Sequence, residues 1–322
     1  MATEIVHGRS RLPARAQGTD ARPTAVAIGN FDGVHRAHRI LVEEARRRAA
    51  VHGAQAGVLT FDPHPAKLFA PSLAPPLIMP LARRVELLGE IGADFVVVEP
   101  FTAAFAAIDA ERFVTEVLAG DFGAREVVVG YDFTFGRGRE GDARRLAELG
   151  AATHMGVTVV PPVVVDGVTC HSTKIREFIL EGRVEGAELL LGRPFEVTGQ
   201  VVRGAGRGQA LGIPTANLRP EGDLLPRGGV YVGRAVLLDE RGKPAAAARA
   251  AINVGTNPTF DAGGTGVTTV EAHLLDFQGD LYGRRLRLEL RRRLRDERRF
   301  SSPESLVAQI RDDIARARTL DP

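Results

Sequence analysis

The sequence is poor in several residue types that define whole classes of proteins. Cys170 is the only cysteine among 322 residues, tryptophan is absent, and lysine accounts for three of the 42 basic residues. One cysteine excludes a disulfide framework and a zinc site made of several cysteines. No apolar run approaches the roughly 18 residues of a membrane-spanning helix, and the N-terminal segment lacks the apolar core of a secretory signal. We therefore expect a cytoplasmic protein with no membrane partner.

The charge of the chain is nearly balanced, with 42 basic and 40 acidic residues, but residues 284–299 are locally basic and read RRLRLELRRRLRDERR. A nucleic-acid-binding patch has this composition. However, Leu286, Leu288 and Leu290 alternate with charged residues, as they do in a strand with one buried face. The alternation favours a strand with a solvated arginine face, so we expect no nucleic-acid partner. A homo-oligomer is compatible with the sequence, which does not define one.

Residues 24 to about 190 alternate short apolar segments with amphipathic helical patterns. The apolar segments are rich in β-branched residues, which is typical of parallel strands buried on both faces and joined by right-handed helical crossovers. In such sheets, ligands bind beyond the carboxyl ends of the strands. The predicted strands cover residues 24–28, 56–61, 94–98, 126–129 and 157–160, and the predicted helices cover residues 36–52, 81–91, 109–119, 142–150 and 173–191.

After residue 192 the pattern changes to short strands separated by glycine- and proline-bearing turns. Strands without helical crossovers pair in antiparallel fashion, most simply as a small closed barrel. A last helix is expected to begin at residues 301–304, with its apolar stripe of Leu306, Ile310 and Ile314 on the barrel. The fold class is therefore α/β plus all-β, with domains 1–190 and 191–322. The predicted barrel strands cover residues 195–202, 229–238, 247–254, 267–275 and 284–290.

Residues 25–40 read AVAIGNFDGVHRAHRI, so the first predicted strand runs into Gly29 and Gly33 and then into two histidines at the head of a helix. A helix N-terminus has unpaired N–H groups and a positive dipole end, which favour phosphate. His35 and His38 are three residues apart and share one face of the first turn. Both rings can then stabilise negative charge on one phosphate. An isolated histidine pair also fits a metal site or a helix cap.

The second half contains a glycine-rich loop, residues 203–218, which reads RGAGRGQALGIPTANL and whose N–H groups can wrap phosphates. In an extended PTAN segment, Thr215 and Asn217 point the same way. Two neutral oxygens side by side suit an Mg²⁺ ion that keeps its other contacts to water and phosphate. Glu271 is a candidate base for an alcohol that attacks the γ-phosphate of ATP. An exposed strand residue is the alternative for a single glutamate.

The segment GNFDGVHRAH, residues 29–38, resembles the HxGH signature of the nucleotidyltransferase superfamily, in the form found in prokaryotic bifunctional riboflavin kinase/FAD synthetases. Three further patches continue the resemblance: TFDPHP (60–65), GYDFTFG (130–136) and STKIR (172–176). The second half resembles the riboflavin kinase barrel through PTAN (214–217), NVGTNPTF (253–260), VEAHLLDF (270–277), DLYG (280–283) and RDERRF (295–300). The resemblance covers essentially the whole chain, since EIVHGR (4–9) looks like the first strand of the family.

The resemblance implies a Rossmann-like nucleotidyltransferase domain followed by a riboflavin kinase barrel. It implies that the chain phosphorylates riboflavin with ATP to FMN, and adenylylates FMN with a second ATP to FAD and pyrophosphate. Mg²⁺ is the implied cofactor, ATP the co-substrate, and riboflavin, FMN and FAD the substrates and products. The implied catalytic residues are Glu271, His35, His38, Ser172, Thr173 and Arg176.

The resemblance also implies where each ligand binds. The paired histidines contact the ATP phosphates, with Ser172, Thr173 and Arg176 on the opposite side, and Glu271 is the base for the ribityl hydroxyl. The implied ATP-binding residues are Gly29, Asn30, Asp32, Gly33, Gly204, Gly206, Arg207, Gly208, Thr215 and Asn217, of which Thr215 and Asn217 also bind the metal. The implied flavin-binding residues are Phe61, Asp62, Pro63, His64, Pro65, Asp132, Phe133, Phe135, Arg295 and Glu297.

Other interpretations remain open at this stage. The chain departs from the family pattern at Ala37, where the signature has glycine, and at His171, where serine is common. A second hypothesis is therefore a riboflavin kinase with a decayed adenylyltransferase that only binds nucleotide. A third is a nucleotide- or flavin-sensing nucleic-acid binder that uses the arginine-rich strand. Taken singly, TFDPHP also fits a turn, and STKIR fits a helix start capped by Ser172 or Thr173.

Overall fold

The computed structural model describes residues 3–12, 23–204, 212–257, 267–298 and 300–319. The chain divides into two compact units, Met1–Pro76 with Leu81–Cys170 and Leu77–Pro80 with His171–Pro322. Among the described residues, no helix combines the length and the apolar character needed to cross a membrane.

The first unit contains a parallel sheet, as predicted. Within its described residues the strands are β1 (Glu4–His7), β2 (Thr24–Ile28), β3 (Gln55–Asp62), β4 (Phe95–Pro100), β5 (Ala124–Gly130), β6 (Thr134–Phe135), β7 (Gly141–Asp142), β8 (Gly156–Val160), β9 (Val164–Val165) and β10 (Val168–Thr169). Six of them form the parallel sheet in the order β1-β4-β3-β2-β5-β8. All five residues of β2 are buried, as expected of a central strand whose two faces are covered.

The helices of the first unit include the four predicted there, one of them in altered form, and two short helices, residues 65–69 and 103–106, that were not predicted. They are α1 (Arg36–His52), α2 (Pro65–Phe69), α3 (Leu81–Ile91), α4 (Ala103–Ala106), α5 (Ala110–Arg112) and α6 (Ala143–Ala152). The helix predicted over residues 109–119 is a short α-helix that continues as a π-helix, Phe113–Asp121. There the Phe122 N–H donates to the Val117 carbonyl, five residues back. Apolar spacing does not separate an α-helix from a π-helix of this length, because both bury one face.

The second unit contains the predicted barrel. Its described strands are β11 (Phe195–Val202), β12 (Ala216–Pro220), β13 (Gly229–Leu238), β14 (Pro244–Asn257), β15 (Val267–Leu274) and β16 (Arg285–Arg295). They close in the order β11-β12-β15-β14-β13-β16, with every pair antiparallel. The sequence had indicated only an extended segment where β12 lies, since five residues are too few to show a clear alternation.

Within the described part of the second unit, the helices are α7 (Ser172–Leu180), α8 (Val184–Leu191) and α9 (Pro303–Thr319). The single helix predicted over residues 173–191 is split because Gly182 adopts φ 78° and Arg183 donates its N–H to the Phe178 carbonyl. The last helix begins as predicted, with Ser302 Oγ accepting the Ser305 N–H at 3.3 Å. Because α7 and α8 belong to the second unit, the domain division near residue 190 stays a prediction.

The arginine-rich strand β16 has the predicted alternation, but its polar face is not simply solvated. Leu286, Leu288 and Leu290 are fully buried. On the other face, Arg287 is only 7% exposed. Several arginines of this strand have a carboxylate of β16 itself or of a neighbouring element within ion-pair distance, so their charges are compensated within the protein. The pairs include Arg285 with Glu221, Arg287 with Glu196 and Glu289, and Arg291 with Glu188.

A buried ion pair joins the end of β16 to α9. Arg295 donates from Nε and Nη2 to the carboxylate of Asp313, with an Nη2–Oδ2 distance of 2.6 Å. Asp313 is 3% exposed. Ile314 and Ala317 of the same helix pack against Val232 and Leu275 of the barrel. The C-terminal helix is therefore held on the barrel by an apolar contact and by this pair.

We expect Asp313→Ala to destabilise the barrel by about 3–5 kcal/mol, because it leaves the guanidinium of Arg295 buried without its partner. The matched control is Arg318→Ala, which removes an exposed pair and leaves Asp276, with its φ of 56°, unchanged. Asp276 also receives two hydrogen bonds from an arginine of α9, Arg318, but that pair is exposed and stabilises little. Urea unfolding followed by circular dichroism measures both variants. Equal midpoint shifts would contradict the assignment of the buried pair.

Candidate active sites

Three of the predicted motif patches meet at one edge of the parallel sheet. Because β2 lies between β3 and β5 and all three are parallel, the turns that follow them emerge side by side at their carboxyl ends. The chain reverses its direction of travel across the sheet at this point, which is where ligands bind in open α/β sheets. Hydrogen bonds tie the first turn to β3: Gly29 donates to Leu59 at 3.1 Å and Thr60 Oγ1 donates to Asn30 at 3.0 Å.

The turn after β2 has an unusual backbone. Phe31 has φ 50° and Val34 has φ 39°, both in the left-handed region that L-residues, and β-branched ones above all, rarely adopt. Gly33 lies between them with φ 90°, a value that glycine adopts without strain. Strained residues of this kind cluster at ligand sites. The turn also buries the carboxylate-bearing residue Asp32, which is 1% exposed.

The two histidines stack on each other at the start of α1. Their ring centroids are 3.5 Å apart and the ring planes differ by 15°. His35 is the N-cap of the helix, and its Nδ1 accepts the His38 N–H at 3.4 Å. Because Nδ1 is an acceptor, the proton of a neutral His35 ring is on Nε2, from which it can be donated to a phosphate. The helix-cap interpretation therefore applies to His35 and is compatible with a phosphate role.

Cys170 is a part of this site that the sequence analysis missed. Its Sγ lies 3.6 Å from Nδ1 of His35, and the thiol is buried. Burial raises the pKa of Cys170, and hydrogen bonds from the N–H groups of Ala37 and Arg36 oppose this shift. The thiol therefore stays protonated at neutral pH.

One N–H group in the first turn of α1 already has a partner within the protein. The N–H groups in the first turn of α1 were expected to be available for phosphate. His35 Nδ1 accepts the N–H of His38 at 3.4 Å. Side-chain caps of this kind are the usual partners of the first N–H groups of a helix. His35 is 4% exposed, and the role of the histidine pair at the phosphates stays a prediction.

The turn after β3 divides into buried and exposed residues. Phe61 is buried and packs edge-on against Phe101, with ring centroids 5.5 Å apart. His64 caps α2, its Nδ1 accepting the Ala66 N–H at 3.2 Å, and Pro65 is the first residue of that helix. The residues of the turn that remain exposed are Asp62 and Pro63.

The turn after β5 shows the same division. Phe135 is buried in the hydrophobic core, and Phe133 stacks on it at 5.6 Å. Asp132 is exposed. Its Oδ1 would lie only 3.1 Å from a Cβ placed on Gly130. The absence of a side chain at Gly130 therefore gives the Asp132 carboxylate room to lie over the end of the strand. Phe61 and Phe135 thus support the two turns from the core, while the acidic residues face solvent.

The fourth patch lies on α7 in the second unit. Its N-cap is His171, whose Nδ1 accepts the Lys174 N–H at 3.4 Å, and not Ser172 or Thr173. Ser172 is half-buried, Thr173 is exposed, and Arg176 is 9% exposed. The role of these three residues at the ATP phosphates stays a prediction.

In the barrel, polar residues form a row across three neighbouring strands. Asn217 of β12 is the direct cross-strand partner of Glu271 on β15, and Glu271 is in turn the partner of Asn253 on β14. The residues before and after each of them are buried. Because side chains alternate along a strand, the row lies on the face opposite the barrel core. Asn253 was not singled out in the sequence, although a row of this kind follows directly from strand register.

The loops around this row come close to Asn217. A Cβ on Gly204 would lie 2.3 Å from Nδ2 of Asn217, so a side chain at position 204 would displace the amide. His273 donates from Nδ1 to the Pro214 carbonyl at 2.8 Å and thereby anchors the segment that carries Thr215. The other predicted members of the phosphate loop, Gly206, Arg207 and Gly208, lie outside the described residues.

The side chains available at the two candidate sites limit which metal ion each could bind. Among the described residues, no group of three or more His, Cys, Asp or Glu side chains is placed to hold a metal ion. A metal held by the paired histidines would therefore lack a third ligand of this kind in that part of the chain. The neutral oxygens of Thr215 and Asn217 fit an Mg²⁺ ion that takes its other ligands from water and phosphate.

The two residues predicted for the flavin end of the barrel differ in environment. The guanidinium of Arg295 is held by Asp313. Glu297 is exposed, but a Cβ on Gly255 would lie 2.2 Å from its Oε1. Gly255 therefore allows this carboxylate to approach the backbone of β14.

Comparison with known proteins decides the family. Residues 17–174 match the family model described as FAD synthetase, and residues 191–320 match the one described as riboflavin kinase. A protein of Escherichia coli (strain K12) described as a bifunctional riboflavin kinase/FMN adenylyltransferase is 37% identical over 314 residues, or 97% of this chain and 95% of that protein. The chain belongs to the bifunctional riboflavin kinase/FMN adenylyltransferase family. It is thus an enzyme with a kinase and a nucleotidyltransferase activity, which takes riboflavin to FMN and FMN to FAD.

Two further relatives also match this chain over nearly its full length. A protein of Pseudomonas fluorescens with the same description is 38% identical over 317 residues, which cover 98% of this chain and 97% of that protein. A solved structure described as a macrolide-efflux protein from Streptococcus pneumoniae is 30% identical and has a TM-score of 0.84, with all of both chains covered. The resemblance deduced from the motifs is therefore confirmed along the whole chain.

We expect Gly204→Ala to lower kcat/KM for riboflavin phosphorylation by about 10- to 100-fold, because a displacement of roughly 1 Å at a positioning group has effects of this size. FMN adenylylation in the same preparation should be unchanged. Gly222→Ala is the matched control, since the nearest atom to its Cβ would be 3.7 Å away, in ordinary contact. Unaltered phosphorylation by Gly204→Ala would exclude a role for the Asn217 amide.

Proposed function

We propose that the two activities of this enzyme use separate ATP sites, one at the carboxyl edge of the parallel sheet and one on the polar row of the barrel. The observation that carries this proposal is the stacked pair of His35 and His38 at the point where β2, β3 and β5 end together. The barrel has a different set of groups, a neutral Thr/Asn pair beside one carboxylate. Each set suits one of the two reactions.

At the sheet edge, a phosphate oxygen of FMN attacks the α-phosphorus of ATP, and pyrophosphate leaves. Negative charge on the phosphate oxygens increases in the transition state. His35 and His38 stabilise this charge by donating from the ring nitrogens that face the ligand, and their fixed stacking means that they need little reorganisation. No enzyme nucleophile is needed, because the substrates supply both the attacking and the departing oxygen.

Asn30, Asp32, Gly29 and Gly33 would line the adenine nucleotide side of this site. The exposed residues Asp62, Pro63 and Asp132, with the half-buried Phe133 and His64, would contact the flavin side. Phe61, Pro65 and Phe135 would support them, because Phe61 and Phe135 lie in the core and Pro65 begins α2. We also assign Ser172, Thr173 and Arg176 to the ATP phosphates on the basis of the family motif.

On the barrel, a ribityl hydroxyl of riboflavin attacks the γ-phosphorus of ATP and ADP leaves. Glu271 accepts the hydroxyl proton, for which a carboxylate beside the attacking oxygen is the required group. Thr215 and Asn217 would hold Mg²⁺, which when bound neutralises charge on the phosphates. The glycine-rich loop, including Gly204, Gly206, Arg207 and Gly208, would wrap the phosphates, and Arg295 and Glu297 would lie toward the flavin. Because both reactions consume ATP, we place the enzyme in the cytoplasm.

We expect reciprocal losses from two substitutions. Glu271→Ala should lower FMN formation from riboflavin by about 10²–10⁴-fold, the usual contribution of a general base. The same variant should convert supplied FMN to FAD at the normal rate. His38→Ala should lower FAD formation from supplied FMN by about 10²–10³-fold and leave riboflavin phosphorylation intact.

Chromatographic product analysis, started from riboflavin in one reaction and from FMN in another, measures both steps. Each variant serves as the control for the other, since the activity that it retains shows that the protein is folded. One substitution that removed both activities from a folded protein would contradict separate sites. Absence of FAD from the unsubstituted enzyme supplied with FMN, Mg²⁺ and ATP would instead indicate a kinase with an inactive nucleotide-binding domain.

A further inference from the structure

Arg84 of α3 is an arginine inside a hydrophobic environment, 1% exposed. It lies outside every motif patch. Its Nη1 donates to the Phe61 carbonyl at 3.2 Å, at the end of β3. Its Nε and Nη2 are also buried, and among the described residues they have no hydrogen-bond partner.

An arginine in this state is costly for the fold. A buried charge is strongly unfavourable unless it is paired, and a buried donor without an acceptor adds a further penalty. Burial lowers the pKa of Arg84, and the charges of Asp32 and Asp62 raise it again. A polar group retained at such a cost calls for an explanation beyond packing.

The two carboxylates belong to different turns of the sheet-edge site. Asp32 lies in the turn after β2, residues 29–33, and Asp62 ends β3 and begins the turn that contains Pro63. The carbonyl that Arg84 binds belongs to Phe61, the residue before Asp62. Arg84 thus binds the start of the second turn from a third element, α3, and Thr60 Oγ1 at the same strand end binds Asn30 of the first turn.

We propose that Arg84 is a positioning residue for FMN adenylylation, which holds the turn at residues 29–33 in register with the turn at residues 61–65 and so sets the separation of ATP and FMN. This role rests on the proposed assignment of the first turn to nucleotide and the second to flavin. Arg84 does not touch the reacting atoms, because its nitrogens are buried.

A purely structural role would have a different signature. Buried ion pairs are often replaced by apolar side chains of similar volume with no loss of stability. If Arg84 only filled space, a folded Arg84→Met protein would have normal kinetics. If it positions the two turns, the loss appears in the kinetics of adenylylation alone.

The test uses the full-length enzyme, with riboflavin phosphorylation as the internal control. We expect Arg84→Met to lower kcat/KM for both FMN and ATP in adenylylation by about 10- to 100-fold, the effect of a misplacement near 1 Å. Riboflavin phosphorylation should stay within about twofold. Arg84→Lys keeps the charge and should recover part of the loss. Arg83→Met is the matched control, because Arg83 is the adjacent arginine of α3 and pairs with Glu86 and Glu90 instead.

A double substitution tests the link to the flavin turn. Because Arg84 is proposed to set the position of the turn that carries Asp62, the loss from Asp62→Asn should be smaller in the Arg84→Met background than in the unsubstituted enzyme. An Asp62→Asn loss of the same size in both backgrounds would overturn the proposal, and so would normal kcat and KM in folded Arg84→Met. If Arg84→Met does not fold, Arg84→Lys decides, and unchanged kinetics in that variant would overturn the proposal. If instead the sheet-edge site is not the adenylylation site, His38→Ala will also adenylylate FMN at the normal rate. That result distinguishes failure of the proposed function from failure of the Arg84 proposal.

Discussion

The pairing of β2 between β3 and β5 is the constraint on which the sheet-edge site depends. Parallel strands that are adjacent end at the same edge, so the turns that follow them must lie together. The complete burial of β2 holds the strand in this position, and the hydrogen bond from Thr60 Oγ1 to Asn30 fixes the first turn against β3. Strain at Phe31 and Val34 is tolerated because a buried strand and the helix α1 hold the turn at both ends.

The histidine pair shows how the first turn of a helix is used to orient side chains. His35 accepts the His38 N–H, which a helix start would otherwise present to an anion. The dipole of α1 remains, and this bond and the stacking of the two rings fix the orientation of the imidazoles. A ring whose tautomer and plane are set before the substrate arrives stabilises developing charge more effectively than a mobile one.

The sequence predicted those features that depend on local pattern or on recognised motifs. The parallel sheet, the barrel, the bounds of α1 and the buried leucines of β16 follow from periodicity. The missed features depend on tertiary partners. Nothing local indicates that Cys170 reaches His35 or that Arg295 meets Asp313. Arg84 is intermediate, because it occupies an apolar-stripe position of α3 between Leu81 and Leu88, and a charged residue at such a position was a usable signal.

The two sites differ in how closely chemistry and stability are coupled. In the barrel, Glu271 and Asn217 lie on the face opposite the core, so the core does not depend on them. At the sheet edge, Asp32, His35 and Arg84 are buried. These side chains are therefore part of the packing of the first unit as well as of the candidate site. A substitution there changes both the stability of the fold and the geometry of the site. Riboflavin phosphorylation, which depends on a separate fold of the same chain, is therefore the appropriate internal control.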